Sequence, residues 1–469
     1  MRRAALLAVG LALVVAIGLA WLQTGLGTGV SLIVTGGTVI TMDGEGRVIP
    51  NGAVAVYEGD IVAVGTADEI AATYSAPDVI DATDQIILPG LINTHTHAPM
   101  VLFRGLADDL ALMDWLNNYI FPAEKAMVSE EFVRVGTALA ALEMIESGTT
   151  TFADMYYFEE VIAEATRDAG LRAVLGQTII RFPVADAATP EDALDRAEEF
   201  LDDWADDELV IPAVAPHAPY TLTPETLRAA RALADKYNAP LLIHLAETID
   251  ERDTIEAEHK QTPAAFLDGL GLWNGRALAA HGVWLEPSDI EMLAARGVGL
   301  SHNPESNMKL ASGTASVPAW IEAGIHAGLG TDGAASNNDL DMFEAMRTAA
   351  LLHKNVAMDP TAMPARLALE MATRRGAQAL GLGNKIGSLE PGKIADIIVV
   401  NVETAHTTPM FDPISHIVYA AKASDVRHSI VQGRLVMRNK RVMTMNKRRV
   451  LEEARAMGHR VAEAVRSAR

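Results

Sequence analysis

Residues 86–97 of the chain read Ile-Ile-Leu-Pro-Gly-Leu-Ile-Asn-Thr-His-Thr-His. The run before His95 is apolar on both faces, which is typical of a parallel strand buried on both sides. Because residues i and i+2 of a strand point to the same face, His95 and His97 are expected to project together from the strand end. Two imidazoles placed in this way can chelate a borderline metal such as zinc. The stretch therefore predicts the first strand of a barrel whose carboxyl-terminal mouth holds a metal.

Short apolar runs alternate with amphipathic helical stretches from residue 88 onward. Parallel strands need a long crossover, usually a helix, so this alternation predicts a parallel sheet. Eight strand–helix units in series indicate an α/β fold, a distorted (β/α)8 TIM barrel. The predicted strand ends lie in residues 93–97, 149–154, 172–180, 210–217, 240–244, 277–281, 298–302 and 325–332.

The two flanks of the predicted barrel carry short strands separated by glycine and aspartate turns. We expect these flanks to combine into one small composite β-sandwich domain. The predicted organisation is a signal peptide or membrane anchor at 1–25, the first part of the β domain at 30–87, a metal-dependent barrel at 88–385, the second part of the β domain at 386–440 and a C-terminal helix at 441–469.

Composition excludes some classes of function. The chain has 469 residues and a formal net charge of -23, which disfavours nucleic acid as a partner because both would be negatively charged. It contains no cysteine, which rules out disulfides and zinc–thiolate sites. Hydrophobic residues make up 49% of the chain, enough for a sizeable core.

The N-terminus is a separate feature. Two arginines precede residues 4–22, an uncharged stretch of roughly membrane-spanning length. This pattern predicts an N-terminal hydrophobic helix, either a cleaved signal peptide or an uncleaved transmembrane anchor. Both alternatives predict an extracytoplasmic location, periplasmic or secreted, with the membrane contacted only through this segment.

Polar residues at the predicted strand ends are rich in histidine. Of the 13 histidines, six lie at these ends, and all of these positions face one mouth of such a barrel. A lone histidine beside an apolar run is more often a hydrogen-bonded structural residue, so the prediction depends on the whole set. The set is His95, His97, His217, His244, His281 and His302, with Asp332 at the end of the eighth strand.

Several motifs resemble the amidohydrolase superfamily, and more narrowly the methylthioadenosine/S-adenosylhomocysteine deaminases and their relatives. They are Pro-Gly-Leu-Ile-Asn-Thr-His-Thr-His at 89–97, His-Leu-Ala-Glu at 244–247, His281, Ser-His-Asn-Pro at 301–304 and Gly-Thr-Asp-Gly at 330–333. The resemblance runs from about residue 31 to the C-terminal region. Enzymes of this family often self-associate, so the resemblance makes a homo-oligomer one expectation.

The resemblance implies one divalent metal per chain, zinc with Fe²⁺ as the alternative, held by His95, His97, His244 and Asp332. A carboxylated lysine that bridges two metals in binuclear members has no counterpart at the end of the fourth strand, residues 214–217. Glu247 is implied as the general acid and base. His281 is implied to hydrogen-bond the attacking hydroxide, and Asp332 to act as both ligand and proton acceptor.

Substrate contacts are implied for a further group of residues. Trp115 and Glu124 fall where the family places an aromatic that contacts the nucleoside and a carboxylate that binds the ribose. A carboxylate suits a vicinal diol because it accepts two hydrogen bonds. The remaining candidates are His217, Glu247, Ser336, His302, Gln177, which stands where the family has an arginine, and Arg181, a candidate replacement for that arginine.

The implied reaction is hydrolytic deamination of an aminated purine nucleoside of the methylthioadenosine, S-adenosylhomocysteine or adenosine type. A metal-bound hydroxide adds to the amino-bearing ring carbon, and ammonia leaves. Two alternatives remain open. One is hydrolysis of another ring, such as a guanine, pterin, triazine or chlorinated heterocycle. The other is a metal-free protein used for binding. The small-molecule substrate is the only partner that all the catalytic alternatives share.

Overall fold

The computed structural model describes residues 27–468. Nineteen strands are found in this part of the chain. Seven precede the barrel: β1 (Thr28–Gly29), β2 (Leu32–Ile40), β3 (Val48–Tyr57), β4 (Asp60–Thr66), β5 (Tyr74–Ser75), β6 (Asp78–Asp81) and β7 (Gln85–Pro89). Eight form the barrel: β8 (Leu91–Thr96), β9 (Thr149–Tyr156), β10 (Arg172–Ile179), β11 (Val210–Pro216), β12 (Leu241–Leu245), β13 (Ala277–His281), β14 (Gly299–His302) and β15 (Ala327–Leu329). Four follow: β16 (Ile397–Asn401), β17 (Val426–Val431), β18 (Arg434–Arg438) and β19 (Arg441–Val442).

Among the described residues, one helix precedes the barrel, most of the others lie between its strands, and the rest follow its last strand. They are α1 (Ala67–Thr73), α2 (Leu112–Trp115), α3 (Phe121–Met127), α4 (Glu130–Ser147), α5 (Glu159–Ala169), α6 (Pro190–Asp203), α7 (Pro224–Tyr237), α8 (Ile249–His259), α9 (Pro263–Gly269), α10 (Pro287–Arg296), α11 (Pro304–Lys309), α12 (Val317–Glu322), α13 (Met342–Ala357), α14 (Ala365–Met371), α15 (Arg374–Ala379), α16 (Pro413–Tyr419) and α17 (Lys447–Ala468).

The barrel strands β8–β15 form one parallel sheet in which each strand pairs with the next along the chain. Individual hydrogen bonds join the two end strands, β8 and β15, and the residues next to them. Asp332 N–H donates to His95 O and Thr94 Oγ1 donates to Leu329 O, both at 2.9 Å. A Cβ at Gly328 would lie 2.4 Å from Thr94 Cγ2, so glycine at this position of β15 lets the two strands approach. The sheet is therefore a nearly closed barrel, and the predicted distorted α/β barrel is confirmed.

A hydrophobic plug fills the interior of the barrel at the end opposite the histidines. Ala377 of α15 and Leu380, which follows it, are buried against inward-facing side chains such as Ile92 of β8, Val174 of β10 and Leu278 of β13. Close packing at this end leaves the carboxyl ends of the strands as the open mouth, where the loops of such barrels build their sites.

The strands at both ends of the chain form a second sheet. Its order is β19-β18-β17-β16-β7-β2-β3-β4, with β6 added beside β2. The central junction is antiparallel: Ile397 of β16 lies opposite Pro89 of β7, immediately before the chain enters the barrel. An additional sheet built from both flanks is thus confirmed, and its strands form one nine-stranded sheet. The sandwich form and the bounds of the predicted composite domain stay predictions.

The predictions made from the N-terminal segment need correction. Across residues 27–468, no helix is both long enough and apolar enough to cross a membrane. The predicted N-terminal hydrophobic helix, signal peptide or anchor, falls in residues 1–25, which lie outside the described part of the chain. The predicted extracytoplasmic location depended on that segment; it finds no support in residues 27–468 and is withdrawn.

Candidate active site

Four potential metal donors converge at the open mouth of the barrel. Asp332 Oδ1 lies 3.6 Å from His95 Nε2 and 3.4 Å from His97 Nε2. His244 Nε2 lies 3.3 Å from His97 Nε2. A tetrahedral zinc ion with bonds of about 2.0–2.1 Å would hold its ligand atoms about 3.3 Å apart. These separations therefore fit a single metal ion.

Hydrogen bonds orient two of these imidazoles. His97 Nδ1 donates to Met155 O at 2.6 Å, and His244 Nδ1 donates to His217 O at 2.8 Å. Each bond fixes the ring and leaves Nε2 free to face the centre of the cluster, as outer contacts of metal-ligating histidines do. His95 Nε2 is buried and finds no hydrogen-bond partner among the described residues. An orphaned nitrogen at this position is the atom that a cation would satisfy.

The charge states of the cluster also suit a cation. Burial lowers the pKa of His95 and of His244 well below the usual value, which keeps both imidazoles neutral. Burial alone would raise the pKa of Asp332, but the imidazoles of His95, His281 and His97 outweigh it, and that pKa falls well below its usual range. Neutral imidazoles beside an ionised carboxylate are the forms that bind metal.

Asp332 is held in place by its neighbours. Its Oδ2 accepts a hydrogen bond from Ser306 Oγ at 2.6 Å, and its Oδ1 accepts one from Gly333 N at 2.7 Å. The residue lies three positions beyond the end of β15 and adopts a left-handed φ of 63°. The carboxylate therefore depends on the local turn and on Ser306 to reach the imidazoles.

Glu247 and His281 lie beside the four donors. Glu247 Oε2 is 3.9 Å from His281 Nε2, which is in turn 4.0 Å from Asp332 Oδ2. His281 Nδ1 lies 2.9 Å from Asn307 Oδ1, so its Nε2 is the atom that faces the site. Burial raises the pKa of Glu247. A buried carboxyl group next to an imidazole is suited to moving protons at the site.

The loop that carries Glu247 is held by a residue that sequence reasoning missed, Glu251. Its carboxylate accepts hydrogen bonds from the backbone N–H groups of Ala246 and Glu247, at 2.8 and 2.9 Å. Ala246 has a φ of 48°, a left-handed conformation that turns the chain and brings Glu247 to the same side as His244. A signal existed: Thr248 and Glu251 have capping-box spacing, and Thr248 Oγ1 does accept from Glu251 N at 3.2 Å.

Three further residues support the site and were also missed. Ser306 and Asn307, on α11, contact Asp332 and His281. Asp154, at the end of the second barrel strand, accepts from Thr96 Oγ1 at 2.6 Å and from Ala98 N at 2.5 Å. These bonds anchor both chain neighbours of His97. The position of Asp154 at a strand end was the available signal.

A pocket opens above the donors and contains most of the expected substrate contacts. His97, His244, His281 and Asp332 line its inner end together with Glu247. Its other walls include the expected residues Trp115, Glu124, His217 and Ser336. Glu124 is buried and accepts from Tyr156 Oη at 2.7 Å. The indole Nε1 of Trp115 is buried and has no hydrogen-bond partner among the described residues.

Three expected contacts lie outside this pocket. His302 is fully buried, with its Nε2 3.1 Å from His353 Nε2 of α13, and it faces the helices. Gln177 is buried and donates to Asp186 Oδ2 at 2.9 Å. Arg181 is exposed and lines a neighbouring cavity that shares Tyr220 with the pocket. We therefore do not retain these three as substrate contacts.

Comparisons with known proteins agree with this geometry. The 5-methylthioadenosine/S-adenosylhomocysteine deaminase of Syntrophobacter fumaroxidans is 50% identical over 424 residues, covering 90% of this chain and 97% of the relative. The 5'-deoxyadenosine deaminase of Methanosarcina mazei is 44% identical over 438 residues, covering 93% of this chain and 99% of the relative. The crystal structure of a zinc-bound adenosine deaminase from Xanthomonas campestris matches with a TM-score of 0.92 and 40% identity, covering 93% of this chain and 100% of that chain.

The resemblance expected from the motifs is thereby confirmed. Zinc in a solved relative and the donor cluster found here together support a divalent metal. A model of the amidohydrolase family matches residues 86–436, which include every donor described above. The chain belongs to the amidohydrolase family.

Proposed function

We propose that this chain is a hydrolytic deaminase of 5'-deoxy and 5'-substituted adenosines that depends on one zinc ion. The observation that carries the proposal is the convergence of three imidazoles and one carboxylate beside Glu247 and His281, at the inner end of one pocket. The names of the relatives support the substrate class, since they include methylthioadenosine, S-adenosylhomocysteine and 5'-deoxyadenosine.

The metal would be held by His95, His97, His244 and Asp332. When bound, it would lower the pKa of a water molecule and so supply the nucleophile at neutral pH. The chain contributes the other requirements. Met155 O and His217 O orient two of the imidazoles, and Ser306 orients the carboxylate.

Glu247 would move the protons of the reaction. It takes a proton from the attacking water and delivers it to the ring nitrogen next to the amino-bearing carbon, then helps to protonate the departing amine. His281 Nε2, 3.9 Å from Glu247 and 4.0 Å from Asp332, is positioned to hydrogen-bond the attacking oxygen. Overall, water adds, ammonia leaves and the ring carbon becomes a carbonyl.

The pocket walls would bind the nucleoside. Glu124 would accept hydrogen bonds from the ribose hydroxyls, with Tyr156 Oη fixing its carboxylate. Trp115 would pack against the nucleoside, and its unpartnered Nε1–H offers a donor to it. Ser336 and His217, both in the wall of the pocket, would contribute further polar contacts.

Replacing Glu247 with Gln tests this assignment. We expect the Glu247→Gln protein to keep about one zinc per chain and to lose ammonia release from 5'-deoxyadenosine by at least about 10²-fold. Glu258→Gln is the matched control, because Glu258 lies on the exposed side of α8. Near-normal turnover by Glu247→Gln would rule out the proton role, and no ammonia from any adenosine with the zinc-loaded wild type would rule out the proposed function.

A further inference from the structure

Beyond the metal donors, the walls of the active-site pocket carry acidic side chains but, among the described residues, no lysine or arginine. Between the metal donors and the mouth, the pocket is lined largely by Leu112, Trp115, Leu116, Ile120, Phe121 and Met155. The acidic side chains in its lining are Glu124, Glu247 and Asp332, the last of which is one of the metal donors. Among the described residues that line the pocket, none is lysine or arginine. An anionic group on a substrate would therefore be desolvated there without a partner.

The positively charged side chains near the pocket do not supply a partner for an anionic substrate group. Arg181 is exposed and belongs to the neighbouring cavity, whose lining also includes Asp250, Glu251 and Glu258. Gln177, which occupies the position where a cation was expected, is neutral and is held by Asp186. Asp186 adds a further negative charge on that side, and its partner Arg196 is engaged with both Asp186 and Glu160.

We infer that the pocket selects adenosines whose 5' substituent is short, apolar and uncharged, and discriminates against the zwitterionic amino acid of S-adenosylhomocysteine. The inference rests on the proposed function. The names of the relatives suggest several 5'-substituted adenosines as substrates. The inference restricts them to the 5'-deoxy and 5'-alkylthio compounds. The apolar wall favours such groups because their burial removes apolar surface from water.

The experiment separates charge from size with three 5'-substituted adenosines: the methylthio compound, the butylthio compound and S-adenosylhomocysteine. The butylthio chain has the same thioether and the same carbon backbone length as the homocysteine group but no charge. With the zinc-loaded enzyme, we expect kcat/KM for ammonia release to be similar for the two alkylthio compounds. We expect it to be about 10²-fold lower for S-adenosylhomocysteine, as for a site that leaves a charged group unpaired.

Arg181→Ala, with Arg181→Lys as its matched control, tests the neighbouring cavity. We expect the ratio of butylthio to S-adenosylhomocysteine turnover to stay the same in both variants. A selective loss of S-adenosylhomocysteine turnover in Arg181→Ala would show that this cavity supplies the missing cation and would overturn the inference. Equal turnover of all three compounds by the wild type would also overturn it while leaving the proposed deaminase intact. Absence of ammonia from all three would instead count against the proposed function.

Discussion

Glu251 offers a sharp test of how this site is built, because its carboxylate supports the catalytic loop without lining the pocket. We expect Glu251→Gln and Glu251→Ala to lower turnover by displacing Glu247. Glutamine has one acceptor oxygen and can bond one of the two backbone N–H groups, while its amide nitrogen opposes the other. Alanine leaves both N–H groups without a partner.

The magnitude follows from the two bonds. Burial raises the pKa of Glu251 to about 7. Each hydrogen bond to it contributes roughly 0.5–1.5 kcal/mol when the acid is neutral and roughly 1.5–3 kcal/mol when it is ionised, and a buried donor left unpaired costs about 1–3 kcal/mol. The loop also stores strain, since Ala246 is held at a φ of 48°. Loss of one bond is thus enough to let the loop relax. A displacement of about 1 Å at a reacting group costs about 10²-fold in rate.

The assay measures kcat, KM and zinc content together. For Glu251→Gln we expect kcat to fall by about 10–100-fold, while the zinc content and KM stay close to those of the wild type. Glu251→Ala should be slower still. Glu258→Gln, on the same helix but exposed, controls for loss of negative charge near the mouth. If Glu251→Gln keeps its kcat within about twofold while remaining folded and zinc-loaded, the loop does not depend on Glu251 and the reasoning is refuted.

Two further predictions concern pH. Burial raises the pKa of Glu124 to about 7, so the ionised form that accepts the ribose hydroxyls predominates only above that pH. We therefore expect kcat/KM to rise with pH through about 7, and we expect the Glu124→Gln variant to lack this rise. Burial, with Asp339 next in effect, raises the pKa of Glu305 to about 8. The folded state therefore favours the protonated acid, and the free energy of unfolding should decrease as pH rises from about 4.5 to 8. In denaturant unfolding, we expect the free energy of unfolding of Glu305→Gln to exceed that of the wild type by on the order of 2 kcal/mol at pH 9 and to equal it at pH 4.5. Equal stability of the two proteins at both pH values would contradict the raised pKa of Glu305.

The fold could be predicted from sequence because its signals are local and repeated. Apolar runs, intervening helices and a histidine at most strand ends each point to the same parallel barrel. The seam of the barrel could not be predicted, since it depends on single contacts such as Thr94 with Leu329 O, between residues far apart in the chain. The composite sheet was predicted in outline, but sequence did not reveal that its strands join in one sheet.

His302 was expected at the mouth of the barrel, and its different place in the structure has a simple physical reason. Successive side chains of a strand point to opposite faces. Ser301 Oγ bonds Thr94 Oγ1 at 2.7 Å inside the barrel, and the next residue, His302, lies on the other face of β14, towards His353. Alternation alone does not decide such cases, because His95 follows Thr94 in β8 in the same way and yet lies with the metal donors. Gln177 and Arg181 were placed only by likeness to a family pattern, which gives no information on where a side chain is held.

The residues that alternation could not place lie at the last position of a strand or just beyond it. Ala246, His281 and Asp332 all adopt left-handed backbone conformations, with φ of 48°, 77° and 63°. Such turns let side chains of either parity face one mouth, but for residues other than glycine each costs about 1–2 kcal/mol. Each turn has a dedicated support: Glu251 for the first, Asn307 for the second and Ser306 for the third. Because these supports offset the strain that presents the reacting groups, substitutions there should reduce turnover more than they reduce the free energy of unfolding.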